Sequence, residues 1–439
     1  MKTCNSKIKA PAFLGAALML LIALIFTACP QMAKPKAEEP TPPPGPQKVT
    51  FSVEGTPANG ELKAMAGSTE ITSGSKVPYG TTVTFTATVT VAEHYADEWT
   101  IKGGSFKTGG KDGDTTATVQ ITGETEVKVT FSRYKSVAFG TDLAAYLNSG
   151  TPAADGIYYI KVTDLTAADL KGNSDMHESS PLGKILNAYP AKKVELKFGK
   201  LPAVTDMNSC FSDCKNLTQA PMLPAGVTNL RDCFYNCEGL TQAPEIPESV
   251  TNMNNCFNGC TNLTQVPAFP ANAKVTNMNG CFGECENLTQ VPALPASVTN
   301  ITNCFSKCKN LTQAPEIPAS VTQMTSCFKE CVKLTKAPSA IPKGVTNLHS
   351  CFDNCRKLTK APVIPKSVTA MKYCFKFCKE LTEVTLECNY GGEVSFREAF
   401  LFCNKLTAGS IKVPADQVQT YKDNAFDMGT QPDRFVAAP

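Results

Sequence analysis

Histidine is scarce in this sequence: 439 residues contain three, His94, His177 and His349, far apart in the chain. None stands beside a repeated acid or nucleophile, so no acid–base or nucleophile–base pair is visible. No His-Glu-x-x-His motif and no Gly-rich phosphate loop occurs. These gaps argue against an enzyme and imply no cofactor. Net charge is small as well. The formal +3 comes from Lys2, Lys7 and Lys9, and without residues 1–28 the chain has 39 basic against 39 acidic residues. That balance gives no case for nucleic-acid binding. A long apolar run is also missing. The one from Ala12 to Phe26 is shorter than the ~20 residues that span a bilayer.

What is there begins with an address. Lys2, Lys7 and Lys9, then the short apolar run, then Ala28 before Cys29, have the layout of a secretory signal peptide over 1–28. Phe26-Thr27-Ala28-Cys29 resembles a bacterial lipobox, with Phe26 where Leu is usual. The resemblance implies export, diacylglycerol on Cys29, and an anchor at the outer membrane or cell surface, so the membrane is an expected partner. Residues 29–47 then form a tether with seven prolines, a composition that stays extended.

From Lys48 the texture changes. Val83, Phe85, Ala87 and Val89 alternate with Thr, and Val127, Val129 and Phe131 with Lys128 and Thr130. Period two predicts half-buried strands, with turns at Gly103-Gly104 and at Lys111–Asp114. Residues 48–133 therefore read as a small antiparallel all-β domain, which resembles an internalin-type divergent B-repeat. Asp112 and Asp114 are two carboxylates, too few for the six or more oxygens of a Ca²⁺ site, so a plain hairpin turn and no metal is the expectation.

The repeats carry most of the information. Cys-Phe-x-x-Cys starts at Cys210, Cys233, Cys256, Cys281, Cys304, Cys327, Cys351 and Cys374, and a ninth copy reads Ala399-Phe400-Leu401-Phe402-Cys403. Val250, Met253, Cys256, Phe257, Cys260 and Leu263 put apolar groups on one side of a short helical or 3₁₀ turn. Leu-Thr-x-Ala/Val-Pro is extended, and its proline ends it. One such unit cannot bury its own apolar side, so neighbours must stack.

Val-Thr-Asn-Met-x-x-Cys-Phe-x-x-Cys-x-x-Leu-Thr is similar to BspA-like (Treponema-type) leucine-rich repeats of bacterial surface lipoproteins. The resemblance implies an α/β solenoid with a short strand plus a short helical or 3₁₀ turn per 23-residue coil, and an adhesin role towards host-matrix proteins or other cells. The expected organisation is an N-terminal cap over 134–203, repeats over 204–408 and a C-terminal cap over 409–439. Residues 182–189 suit a helix and Val194–Phe198 a strand of the first cap. Ile411–Val413 and a helix over Ala415–Met428 suit the last.

Eighteen cysteines follow Cys29. Pairing within each motif would join Cys210–Cys214, Cys233–Cys237, Cys256–Cys260, Cys281–Cys285, Cys304–Cys308, Cys327–Cys331, Cys351–Cys355 and Cys374–Cys378, and leave Cys388 for Cys403. Strain between residues i and i+4 weighs against it, and a ladder of buried free thiols is the other reading. Zinc is disfavoured, since no motif contains His.

The residue after Leu-Thr is Gln219, Gln242, Gln265, Gln290, Gln313, Lys336, Lys360 and then Glu383. If Leu points inward, these residues flank an exposed strand and offer hydrogen bonds to a protein or glycan. Residues 329–379 carry eleven Lys or Arg against Glu330 and Asp353, so Lys336, Lys357, Lys360 and Lys372 are candidates for steering an extracellular protein or acidic glycan. An ordinary solvated surface accounts for both patterns too. The rival function is a periplasm-facing envelope scaffold without a host ligand. Oligomeric state is not legible.

Overall fold

The computed structural model describes residues 44–55, 59–176, 178–201 and 203–439. The signal segment, Cys29, most of the tether and His177 lie outside the described residues.

Nine strands open the described chain: β1 (Gln47–Glu54), β2 (Gly60–Ala66), β3 (Thr69–Ile71), β4 (Lys76–Val77), β5 (Thr82–Val89), β6 (Tyr95–Lys102), β7 (Phe106–Gly109), β8 (Thr116–Gln120) and β9 (Thr125–Ser132). The Thr/apolar alternation of β5 buries Val83, Phe85 and Ala87. They pack with Trp99, Val127 and Val129 into a core separate from that of the repeats. One sheet, β3-β2-β5-β8-β7, is antiparallel throughout. The other, β4-β1-β9-β6, corrects the expectation of a purely antiparallel domain, because β1 and β9 pair in parallel from Val49↔Thr125 to Glu54↔Thr130. A parallel pair needs a long connection, and the intervening strands supply it. Period two fixes which face is buried but not strand direction.

The chain continues through β10 (Lys135–Ala138), α1 (Thr141–Ser149), β11 (Tyr158–Thr163), α2 (Pro181–Asn187) and β12 (Val194–Phe198) into β13 (Leu217–Gln219) of the first repeat. The sheet β10-β11-β12-β13 is parallel. Ser180 caps α2 by accepting the Gly183 N–H at 3.0 Å, with Pro181 in the first turn. Lys161 of β11 ties this sheet to the β domain: its ammonium is 2.6 Å from Asp97 and 2.9 Å from Asp112. Asp114 accepts the Lys111 N–H at 2.9 Å, so both turn carboxylates are engaged by the protein itself.

In the repeats, the Val, Met, Cys, Phe, Cys and Leu positions are buried, as at Val250, Met253, Cys256, Phe257, Cys260 and Leu263. They are not helical. Ser209 (φ 48°) and Asp213 (φ 60°), one before each cysteine, have left-handed backbone, and the same two positions recur along the chain. Each such residue ends a turn. The Cys210 N–H returns to Met207 O and that of Cys214 to Phe211 O, while those of Phe211 and Asp213 cross to Cys233 and Tyr235 of the next repeat. The expected helical turn is thus corrected to successive turns that alternate internal and inter-repeat bonds. A three-residue apolar period fits both, and only the left-handed residues distinguish them. The strand is shorter than expected too: repeats mostly join through single parallel bridges, such as Gln242↔Gln265 and Asn252↔Asn277. Pro244, two residues after Gln242, has no N–H with which to extend the ladder.

Ten rings from Phe198 to Phe400 stack in sequence through the interior, with centroids 5.2–6.3 Å apart. Beside them runs an amide ladder. Asn229 donates to Asp206 Oδ1 at 2.9 Å and Asn252 to Asn229 Oδ1 at 3.0 Å, and each Oδ1 also accepts the N–H two residues on. That second bond is an Asx-turn, which starts the first turn of the repeat.

The stack closes with β14 (Val384–Thr385), α3 (Glu393–Phe396), β15 (Ile411–Val413), α4 (Val418–Asp423) and β16 (Phe435–Ala437), where β14-β15-β16 form a parallel sheet. The helix expected over Ala415–Met428 is a 3₁₀ turn at Ala415–Gln417 followed by α4, which ends at Asp423.

Candidate functional site

Leu after the second cysteine points inward in every repeat, and this turns the residue two places on to solvent. Gln219, Gln242, Gln265, Gln290, Gln313, Lys336 and Lys360 are all exposed. Parallel pairing places Gln219 beside Glu195, Gln242 beside Gln265, Gln313 beside Lys336, and Lys360 beside Glu383. Shallow depressions between rungs are lined by Gln265 with Gln290 and by Gln290 with Gln313. The structure thus joins five glutamines and two lysines into one strip. At its far end Glu383 is shared by Lys360, at 3.6 Å, and Lys412, and these cations hold its carboxyl below the usual range.

The other basic candidates are not on this strip. Lys357 is exposed just after the second cysteine of its motif. Lys372 lies in the turn before Cys374, its ammonium 4.9 Å from the Tyr373 ring centre. The basic end read from the sequence is therefore spread over different positions of the repeat, because residues close in the chain take different places around each coil.

The strip's other end opens into a groove of about 880 Å³ between β6, the C-terminal end of β12 and the first repeat. Sequence reasoning missed it. Its apolar wall includes Leu201, Met222 and Leu223, and its polar side includes Tyr134, Lys197 and Gln219. Lys197 lies 4.2 Å from the Tyr134 ring centre. The Tyr134 hydroxyl donates to Glu195 Oε2 at 3.3 Å. Burial, with the Glu195 carboxylate beside it, pushes the Tyr134 phenol up to about 12. Burial also raises the Glu195 carboxyl, against the lowering effect of that hydrogen bond. Met222 is 86% exposed. A signal for it existed, since Met222 fills the slot that holds Glu245, Ala268, Ala293 or Glu316 in other repeats. The geometry suits contact and hydrogen bonding with a long ligand.

The eighteen cysteines from Cys210 to Cys403 are buried free thiols in the structure, so the within-motif pairing is not what it contains. A physical reason is visible in the second cysteine of each motif from Cys237 on, whose S–H donates to the Phe carbonyl one repeat earlier, as from Cys260 to Phe234 at 3.1 Å, while that of Cys214 points to the Gly183 carbonyl. Burial pushes the thiols from Cys214 to Cys403 up, Cys351 and Cys403 to about 12. Thiolate, the nucleophilic and metal-binding form, is therefore suppressed at neutral pH. No group of three or more metal-ligating side chains occurs among the described residues.

The family model described as BspA type leucine rich repeat region matches residues 206–312 and 302–431, with six copies. Among solved structures, the chain is similar to a leucine-rich repeat protein from Bacteroides ovatus, at 21% identity and a TM-score of 0.40, over 58% of this chain and 59% of that one. It is also similar to the T. pallidum leucine rich repeat protein, at 18% identity and a TM-score of 0.31, over 56% of this chain and 86% of that one. The match thus spans less than two thirds of the Bacteroides protein's own length. No curated protein matches the chain.

Proposed function

Because this chain belongs to the BspA-type leucine-rich repeat family, we propose that it is a lipid-anchored surface protein that binds host-matrix proteins, glycans or other cells through the glutamine strip. The family implies a protein-binding role and is typically non-enzymatic. In this reading residues 1–28 direct export, Cys29 takes the lipid, and the repeats wind as a solenoid that holds the strip open to a partner. The observation that carries it is the unbroken run of exposed amides from Gln219 to Gln313, continued by Lys336 and Lys360. Such a row presents repeated donors and acceptors at fixed spacing. The groove beside Met222 adds an apolar anchor of the kind that dominates interface energies.

The test has two parts. Protease added to intact cells should remove the repeats while a periplasmic control survives. Protection of the repeats until the envelope is broken would reject surface display and favour an envelope scaffold. Binding to immobilised matrix proteins and to heparin should fall at least tenfold when Gln242, Gln265 and Gln290 are all changed to Ala. Unchanged binding would remove the strip from the function.

A further inference from the structure

The two left-handed positions of each repeat are filled, through the seventh, by small, polar or charged residues. Ser209, Asn236, Gly259 and Asn354 are examples, and the longer side chains there, such as Glu284 and Lys307, are charged. The last two repeats differ. Tyr373 (φ 61°), Phe377 (φ 60°) and Phe402 (φ 65°) adopt the same backbone with aromatic rings. Left-handed backbone is uncommon outside glycine, asparagine and aspartate, and bulky residues there are outliers. The core does not call for these rings, because the interior column at this level already has Phe352, Phe375 and Phe400. Phe402 is 49% exposed, and Tyr373 and Phe377 are half-buried.

The rings form a patch with cations. Phe377 and Phe402 stack at 4.7 Å and 13°. Lys376 lies 4.8 Å from the Tyr373 ring centre and 5.6 Å from that of Phe377, and pairs with Glu398 at 2.6 Å. Lys372 approaches Tyr373 from the neighbouring position. Of the acids beside them, Glu398 is held by Lys376 and Arg397, and the half-buried Asp353 faces Lys329 and Lys376.

We propose that Tyr373, Phe377 and Phe402, with Lys372 and Lys376, form a second docking surface for an acidic polypeptide segment that carries aromatic or long aliphatic side chains. This surface uses the turns before the cysteines, not the glutamine strip, so it stands or falls apart from the function proposed above. The edges of aromatic rings are electropositive. Edges and ammonium groups together complement carboxylates, while an apolar side chain fits against the Phe377–Phe402 ridge. A sugar would need open ring faces, but Lys372 and Lys376 lie over Tyr373, and Phe377 and Phe402 each cover one face of the other. A bilayer would need a broader apolar face than three rings supply. Aromatic rings on left-handed backbone at the surface, at positions where the earlier repeats carry small, polar or charged residues, point to a site of contact.

The test uses the full chain and a fluorescent synthetic peptide of alternating Glu and Trp, with a Lys-and-Trp peptide as control. Anisotropy should show binding of the acidic peptide alone, weakening with salt. Replacing Tyr373, Phe377 and Phe402 together by Asn, a residue suited to left-handed backbone, should weaken it at least tenfold and leave the melting temperature equal or higher. Phe402→Asn alone, at the most exposed ring, should weaken it at least threefold, which guards against a triple variant that fails to fold. Changing Gln265 and Gln290 to Ala should leave peptide affinity within twofold. Peptide binding unchanged in the ring variants overturns the proposal. So does a wild-type chain that binds neither peptide, or that binds only heparin oligosaccharide or anionic phosphatidylglycerol vesicles.

Discussion

The sulfur of Cys237 lies 3.0 Å from the carbonyl oxygen of Phe211, one repeat earlier, and donates its S–H to it. The same bond joins Cys260 to Phe234, Cys285 to Phe257 and, at the end of the series, Cys403 to Phe375. Each of these carbonyls also accepts an N–H three residues on, as Phe211 does from Cys214. The thiol is therefore a small apolar filler that adds one weak bond between coils. Cys237→Ala loses that bond and leaves a small void, and should cost about 1–2 kcal/mol in urea unfolding. A cost near zero would show that the S–H bond contributes nothing.

Buried, protonated thiols should also resist alkylation. Iodoacetamide on the folded protein should label none of the eighteen cysteines from Cys210 to Cys403, and label all of them after denaturation. A denatured mass lighter by two hydrogens per motif, with labelling lost to match, would reinstate the within-motif bridges.

Asn252 makes two bonds at once: it donates to Asn229 and accepts the Asn254 N–H at 3.1 Å. Asn252→Ala removes an Asx-turn and a rung of the amide ladder and should destabilise the repeats by about 1–2 kcal/mol. An unchanged denaturation midpoint would reduce the ladder to a surface ornament.

Lys161 is 5% exposed and neutralises Asp97 and Asp112 where the β domain meets the first parallel sheet. Lys161→Met strands two carboxylates, a defect of about 3 kcal/mol for a buried pair. Adding Asp97→Asn and Asp112→Asn should recover much of that loss. If it recovers none, Lys161 acts through packing and not through charge.

His349 should make stability depend on pH. Burial, and then the charges of Lys372 and Lys329, lower its proton affinity below the ordinary value near 6.5. The unfolded chain then binds the proton more readily than the folded one, so stability is highest above about pH 6.5 and falls as pH drops below it. The urea midpoint should decline between pH 7.5 and 5.5 by less in His349→Asn than in the wild type. Equal declines would place the effect in other groups.

Much of the architecture was legible because a repeat is its own alignment. The Cys-Phe-x-x-Cys spacing marks every repeat, and the Leu-Thr-Gln phrase marks the glutamines that the structure leaves exposed. The helix expected over 182–189 and the strand Val194–Phe198 were legible too, and the structure has them at Pro181–Asn187 and Val194–Phe198. What escaped were features with no local periodic signature. The parallel β1–β9 pair joins the two ends of one domain, and the groove beside Met222 is walled by five separate stretches of chain between Asp97 and Gly226.

The sequence by itself determined that residues 204–408 are near-identical repeats packed on one another, because apolar residues recurring every 23 to 25 positions can be buried only against their own copies. Tertiary structure alone decided which surface residues share a face. Lys357, Lys360 and Lys372 lie within sixteen residues of one another, and yet only Lys360 joins the glutamines. The reason is geometric. Position around a coil is set by where left-handed residues and prolines turn the backbone, and the coil brings together residues 23 apart while it separates those three apart.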